Sequence, residues 1–295
     1  MMTDVAMARS RSSTGGITNA MTVDVEDYFQ VSAFEPSIRR EDWDRHEWRV
    51  ERNTERILEL FAARGVSATF FMLGCVAQRY PRLTRRIVEQ GHELASHGYQ
   101  HVRVTQQRPE EFRDDVVRTK KLLEDIAGCP VNGYRAASYS IGANNLWALD
   151  VLAETGHTYS SSIYPIRHDL YGMPEAPRFA FRHNGDGLLE IPITTVLVAG
   201  RKLPCGGGGY FRLFPFWFSR GGLRRVNESD RESCVFYFHP WEIDAVQPRP
   251  PNLSLKTRFR HYLNLQRMEQ RLNRLLQDFR WDRMDRVFLA RPRAA

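Results

Sequence analysis

The chain has 295 residues, 42% of them hydrophobic, which suits one large α/β domain with a sizeable core. No stretch approaches the roughly 18 apolar residues of a membrane span, and the polar, Gly/Ser-rich opening lacks the apolar centre of an export signal. The net charge of +7 resides at the C-terminal end, where residues 253–295 carry eleven Lys/Arg against four Asp/Glu; the balanced remainder argues against a nucleic-acid partner.

In chain order, residues 1–20 read as a disordered leader and 21–295 as a single domain. "AMTVDV" (20–25) predicts a strand. "TERILELFAARG" (54–65) predicts a helix with Thr54 as its N-cap and Gly65 past its end. "VSATFFML" (66–73) is strand-like, and "PRLTRRIVEQG" (81–91) opens with Pro and closes with Gly, as helices do. A strand at 92–96 follows, then a long amphipathic helix over 109–128 with acids in its first turn. Strands are expected at 131–137, 157–162, 187–195 and 232–239, with a helix over 144–156. Apolar residues at Tyr262, Leu265, Met268, Leu272, Leu275 and Phe279 predict one helix over 258–279, and "DRVFLA" (285–290) a closing strand. "CGGGGYF" (205–211) lacks the GK[ST] ending of a phosphate loop and reads as a flexible loop on the substrate side. Alternating strands and helices imply a parallel sheet with outer helices, here a single distorted (β/α) barrel of about seven strands. No GxGxxG follows the first strand, which argues against a dinucleotide fold.

In such a barrel the chemistry sits at the carboxyl ends of the strands. Four strands end in reactive side chains: "TVDVED" with Asp24, Glu26 and Asp27; "SHGYQH" with His97 and His101; "YRAASYS" with Arg135 and Tyr139; and "FYFHPWEID" with His239, Trp241 and Glu242. A carboxylate and two imidazoles make a divalent-metal site. A second carboxylate can serve as base, Arg135 offers a fork of donors to hold that carboxylate ionised, and His239 has a suitable proton for a leaving amine. Residues two apart share a strand face, so Asp24 is paired with Glu26 as base and ligand, with Asp27 the alternative ligand. Trp147, Trp217 and Trp241 are candidates for stacking on sugar rings or for core packing, and His168 and Asp169 for lining the mouth.

These segments resemble the polysaccharide deacetylases with the NodB homology domain (carbohydrate esterase family 4) over about residues 20–290. The resemblance implies a metal-dependent N-deacetylase in which Asp24 is base, His239 acid, and Arg135 orients Asp24. It implies metal ligation by Glu26 (or Asp27), His97 and His101, and substrate contact by Tyr139 and Trp241. The metal would be zinc, with cobalt, nickel, iron or manganese as alternatives. "DVEDYFQVSAFE", "SSIYPIRHDLYGMP" and "GGGGYFRLFP" resemble a subfamily associated with exosortase/PEP-CTERM exopolysaccharide loci. The expected partner is an N-acetylated polysaccharide or lipid-linked oligosaccharide, with peripheral membrane association through the basic C-terminal helix. Two departures stand out: Asp-Val-Glu-Asp replaces the usual adjacent Asp-Asp, and Ala137 replaces a Pro, which is expected to loosen the loop after Arg135. A non-haem iron oxygenase site and a non-catalytic sugar-binding barrel are the alternative readings. Scattered Cys75, Cys129, Cys205 and Cys234 form no disulfide framework and fit a reducing compartment. The expected location is therefore the cytoplasm, at the inner membrane face.

Overall fold

The computed structural model describes residues 16–169, 171–251 and 253–289. Its strands are β1 (Thr18–Val25), β2 (Thr69–Met72), β3 (Glu93–Ser96), β4 (Gly133–Tyr134), β5 (Tyr159–Ser160), β6 (Phe181–Arg182), β7 (Leu189–Glu190), β8 (Thr195–Val198), β9 (Arg201–Pro204), β10 (Val235–Phe238) and β11 (Arg280–Asp282). Its helices are α1 (Val50–Arg64), α2 (Gly74–Arg79), α3 (Pro81–Glu89), α4 (Pro109–Ala127), α5 (Trp147–Glu154), α6 (Gly208–Leu213), α7 (Phe216–Arg225), α8 (Leu255–Tyr262) and α9 (Leu265–Asp278).

The main sheet runs β10-β1-β2-β3-β4-β5-β7-β6, all parallel except the edge strand β6. Seven parallel strands thus curl into the expected distorted barrel. Between its two ends, Ile193 and Gly206–Gly207 contact the two edges: Ile193 N–H donates to Ile163 C=O, and Tyr237 N–H to Gly206 C=O beside an isolated parallel bridge at Gly207. β8 and β9 form a separate hairpin that the sequence reading did not resolve.

Alternation along β1 divides the core. Met21, Val23 and Val25 pack outward with Ile57, Phe61, Leu272 and Leu275 of the surrounding helices, whereas Ala20 packs inward with Phe71, Ala95 and Tyr159. Thr22 and Asp24 share that inward face.

Several expectations are corrected. The leader reading falls mostly on residues 1–15, outside the described residues, but Thr18–Ala20 already belong to β1. Thr54 does not cap α1, which begins at Val50; its hydroxyl donates to Val50 C=O. Residues 285–289 form a π-turn, and the strand that pairs with the start of β1 is instead β11. The single helix over 258–279 is two helices broken at Leu263 and Asn264, where Asn264 adopts a left-handed φ of 54°. The glycine run is tightly packed: a Cβ on Gly207 would lie 1.9 Å from Tyr237 O, and Gly208 begins α6.

At the closed end of the barrel, Glu93 is buried, accepting hydrogen bonds from Thr69 Oγ1, Tyr159 Oη and Asp285 N–H. Burial, reinforced by the nearby Asp285 carboxylate, pushes its carboxyl up to about 7. The native state therefore keeps a proton that the unfolded chain releases above about 4.5, and Glu93 removes stability as pH rises from about 4.5 to 7. Urea midpoints at pH 5 and pH 8 should differ more for the wild type than for Glu93→Gln; equal differences would show that Glu93 is not the group titrating.

Candidate active site

The strand ends converge as the period-two reading expects. Asp24, on the inner face of β1, is buried, and its Oδ1 accepts from Arg135 Nη1 at 2.6 Å while its Oδ2 accepts from Tyr139 Oη at 3.3 Å. Arg135, one residue past β4, is itself held by Thr22 Oγ1, Ser161 O and Ser161 Oγ, with its guanidinium 4.0 Å from the Phe71 ring centroid.

Glu26 lies just beyond β1, and His97 and His101 just beyond β3. One ligand atom from each of these three buried side chains lies within 4.8 Å of the others. His97 Nδ1 is hydrogen-bonded to Arg135 C=O at 2.8 Å, which leaves Nε2 as the nitrogen with a free lone pair. Glu26 Oε2 stands 2.9 Å from His101 Nε2, yet it is a buried oxygen with no hydrogen-bond partner. Buried oxygens of this kind normally find partners. A buried carboxylate and two imidazoles with an orphaned oxygen between them are a donor set that fits a divalent ion. His97 is held down to about 4 by burial, so it is neutral, the form that ligates. Burial alone would raise Glu26, but His101, His239 and His97 together hold it down near 2.

Asp27, the alternative ligand, points away from the cluster. Its Oδ2 accepts from Arg49 N–H at 2.6 Å and Val50 N–H at 2.8 Å, capping α1, and its Oδ1 accepts from Tyr28 N–H. Glu26 and Asp27 therefore diverge, although both lie past the end of β1.

His239 approaches from β10, with Nε2 3.5 Å from Glu26 Oε1 and 3.9 Å from Asp24 Oδ2. Its Nδ1 lies 2.8 Å from Glu242 Oε1. Burial would push the imidazole down, but Glu26, Glu242 and Asp24 raise it to about 9. The sequence reading noted Glu242 without assigning it a part and missed Arg212 and His261 entirely. Arg212, fully buried on α6, donates from Nε to Glu242 Oε2 at 2.6 Å and from its other nitrogens to the carbonyls of Arg260, His261 and Leu263. Local sequence carries no sign of this pairing, because thirty positions separate Arg212 from Glu242.

Trp241 was expected to meet the sugar. Both of its faces are instead covered, by His239 at 5.2 Å and His261 at 4.1 Å, and its Nε1 donates to Glu26 Oε1. It orients the carboxylate rather than offering a stacking face. Tyr139 borders the cavity, but its hydroxyl is spent on Asp24 and its N–H on Ala136 C=O. The loop after Arg135 is not loosened by Ala137: Ser138 Oγ pairs with Ser32 Oγ at 2.8 Å, and Ala136 N–H donates to Ser162 Oγ. Trp147 belongs to the core, edge-on to Phe112. His168 and Asp169 do line the mouth, in a cavity of about 560 Å³ that also takes in Asp24, Glu26, His97, His101 and His239.

A polysaccharide deacetylase family model matches residues 42–160, and a model for a domain of unknown function, DUF3473, matches 161–289. Residues 42–160 thus carry a polysaccharide deacetylase domain. A peptidoglycan-N-acetylglucosamine deacetylase of Bacillus cereus is 32% identical over 98 residues, 33% of this chain and 36% of that protein. A chitooligosaccharide deacetylase of Bradyrhizobium is 28% identical over 111 residues, 38% of this chain and 48% of that protein. The chain thus spans between a third and a half of the length of these curated relatives. Among solved structures, a Mycobacterium smegmatis protein assigned to the polysaccharide deacetylases superposes with a TM-score of 0.59 at 20% identity, covering 96% of this chain and 93% of that one. Puue allantoinase superposes at 0.56 and 16% identity, covering 92% and 88%. Both likenesses establish the fold alone.

Metal analysis of purified variants tests the cluster. His97→Ala/His101→Ala should lose metal while keeping the far-ultraviolet spectrum of a folded barrel, and Glu26→Gln should bind it more weakly. Asp27→Asn should retain metal and lose on the order of 1 kcal/mol of stability as a weakened helix cap; loss of metal in that variant instead would make Asp27 the ligand.

Proposed function

We propose that the protein hydrolyses the acetamide of N-acetylated amino sugars in a bacterial exopolysaccharide, as free polymer or as lipid-linked precursor. The observation that carries this reading is the position of Asp24, locked by Arg135 at 2.6 Å and set beside both the Glu26–His97–His101 cluster and His239. The named activities of the Bacillus and Bradyrhizobium relatives support it.

A divalent ion held by Glu26, His97 and His101 would supply Lewis acidity, polarising the acyl oxygen and acidifying water; zinc suits two imidazoles and one carboxylate. Asp24 takes the proton from the attacking water. Arg135 and Tyr139 keep that carboxylate oriented. On the opposite side, His239 carries a proton on Nε2 while Glu242 accepts the Nδ1–H, so the acid is held in one orientation. An amine leaves poorly unless protonated, and His239 delivers that proton as the C–N bond breaks. An oxygenase would have no use for a base and an acid flanking its cluster. Free Cys75, Cys129, Cys205 and Cys234 support a reducing compartment, and hence the cytoplasm. No helix among the described residues is long and apolar enough to cross a membrane.

Acetate release from N-acetylglucosamine oligomers tests the activity. Asp24→Asn should keep its metal and lose on the order of 10²–10⁴ in rate. His239→Ala should cut amide hydrolysis severely but spare an activated acetyl ester, whose leaving group needs no proton; equal losses on both substrates would remove His239 from the acid role.

A further inference from the structure

The basic C-terminal segment does not present the surface that its sequence suggests. α9 turns its apolar face inward, burying Leu265, Met268, Leu272 and Leu275. α8 does the opposite. Its one buried residue is His261, while Leu255 and Phe259, four apart and so on one face, are 83% and 58% exposed. Leu213 at the end of α6 is 45% exposed and Trp217 on α7 is 71% exposed. Phe259 and Leu213 both line the mouth of the active-site cavity, and Trp217 connects to it through ring contacts with Phe218, Phe214 and Tyr210. An apolar patch therefore borders the mouth.

The charge around it is net positive. α8 carries Lys256, Arg258 and Arg260 and no acid. Asp169 is shared between Lys256 and Arg260, which leaves the rim net positive. On a helical wheel, Arg258 flanks the Leu255–Phe259 stripe on one side and Lys256 and Arg260 flank it on the other.

We propose that this face docks on an anionic lipid bilayer, with Leu255, Phe259, Leu213 and Trp217 entering the acyl boundary and the α8 cations meeting the headgroups. An apolar stripe between cationic flanks is the pattern of interfacial helices, and basic residues near an anionic leaflet add attraction. A second copy fits poorly, because two such faces would bring like charges together. A sugar ring could stack on Trp217, but a hydrated polysaccharide gives exposed Leu255 and Leu213 nothing to bury. Docking would set the cavity mouth against the membrane, where a saccharide on a lipid carrier is presented.

The test needs no enzyme assay, so its failure would leave the deacetylase reading standing. The full chain is sedimented with vesicles of phosphatidylcholine containing roughly one third phosphatidylglycerol, and with phosphatidylcholine alone. The expected result is binding to the anionic vesicles that weakens as salt rises, with little on the neutral ones. Leu255→Glu/Trp217→Glu, both outside the cavity, should cut the bound fraction at least tenfold, and Arg258→Glu severalfold. Val117→Glu, on the exposed side of α4, should change nothing. Absence of binding to anionic vesicles at low salt, or an equal loss with Val117→Glu, would overturn the proposal. So would a dimer by light scattering that Leu255→Glu disperses, since a second copy would then be the occupant.

Discussion

The Asp24–Arg135 pair, buried in the barrel, is the constraint around which the site is arranged. Two charges removed from water carry a desolvation penalty that Coulomb attraction alone rarely offsets. Here the guanidinium is tied at all three nitrogens, by Thr22, Ser161 and Asp24, and lies against the Phe71 ring. Arg135 also lends its carbonyl to His97. One residue thus orients the Asp24 carboxylate through its side chain and fixes an imidazole tautomer through its backbone. Replacing its side chain would leave Asp24 buried without its ionic partner.

The second half of the chain supplies what the first half lacks. Asp24 and Glu26 precede the matched deacetylase segment, His97, His101 and Arg135 lie within it, and His239 falls in the segment of unknown function. That later segment also contributes Glu242, Arg212, Trp241 and His261, which hold His239 and Glu26 in place. Arg212 binds the last carbonyls of α8 with the same guanidinium that grips Glu242. His239 is therefore mechanically joined, through Glu242 and Arg212, to the helix at the cavity mouth.

Strand-end chemistry was legible because alternation in a strand is a geometric rule: Asp24 had to face where Thr22 faces. Asp27 diverges from Glu26 beyond the strand, where it caps α1. Interactions made at long range left no such trace. The break between α8 and α9 falls inside an unbroken apolar periodicity. It is stabilised by Arg212 accepting the role of carbonyl cap, and by Asn264 donating to Arg212 C=O. Trp241 reads as a sugar platform until both faces are seen to be occupied. The packed glycines at 206–208 read as flexibility because the backbone of β10 that crowds them comes from a distant segment.

β1, which leads the strands among the described residues, is completed late. β1 is flanked by β10, with Thr22 opposite Tyr237, and by β11, with Thr18 opposite Arg280. Only β2 is a near neighbour in the chain. During synthesis, the segment bearing Asp24 and Glu26 must wait for more than two hundred residues before both of its edges are covered. Such non-local pairing slows folding and leaves an apolar, strand-prone segment exposed in the interim. The consequence is a barrel whose assembly is governed by closure between distant segments, so that nascent chains are more vulnerable to aggregation than the finished fold.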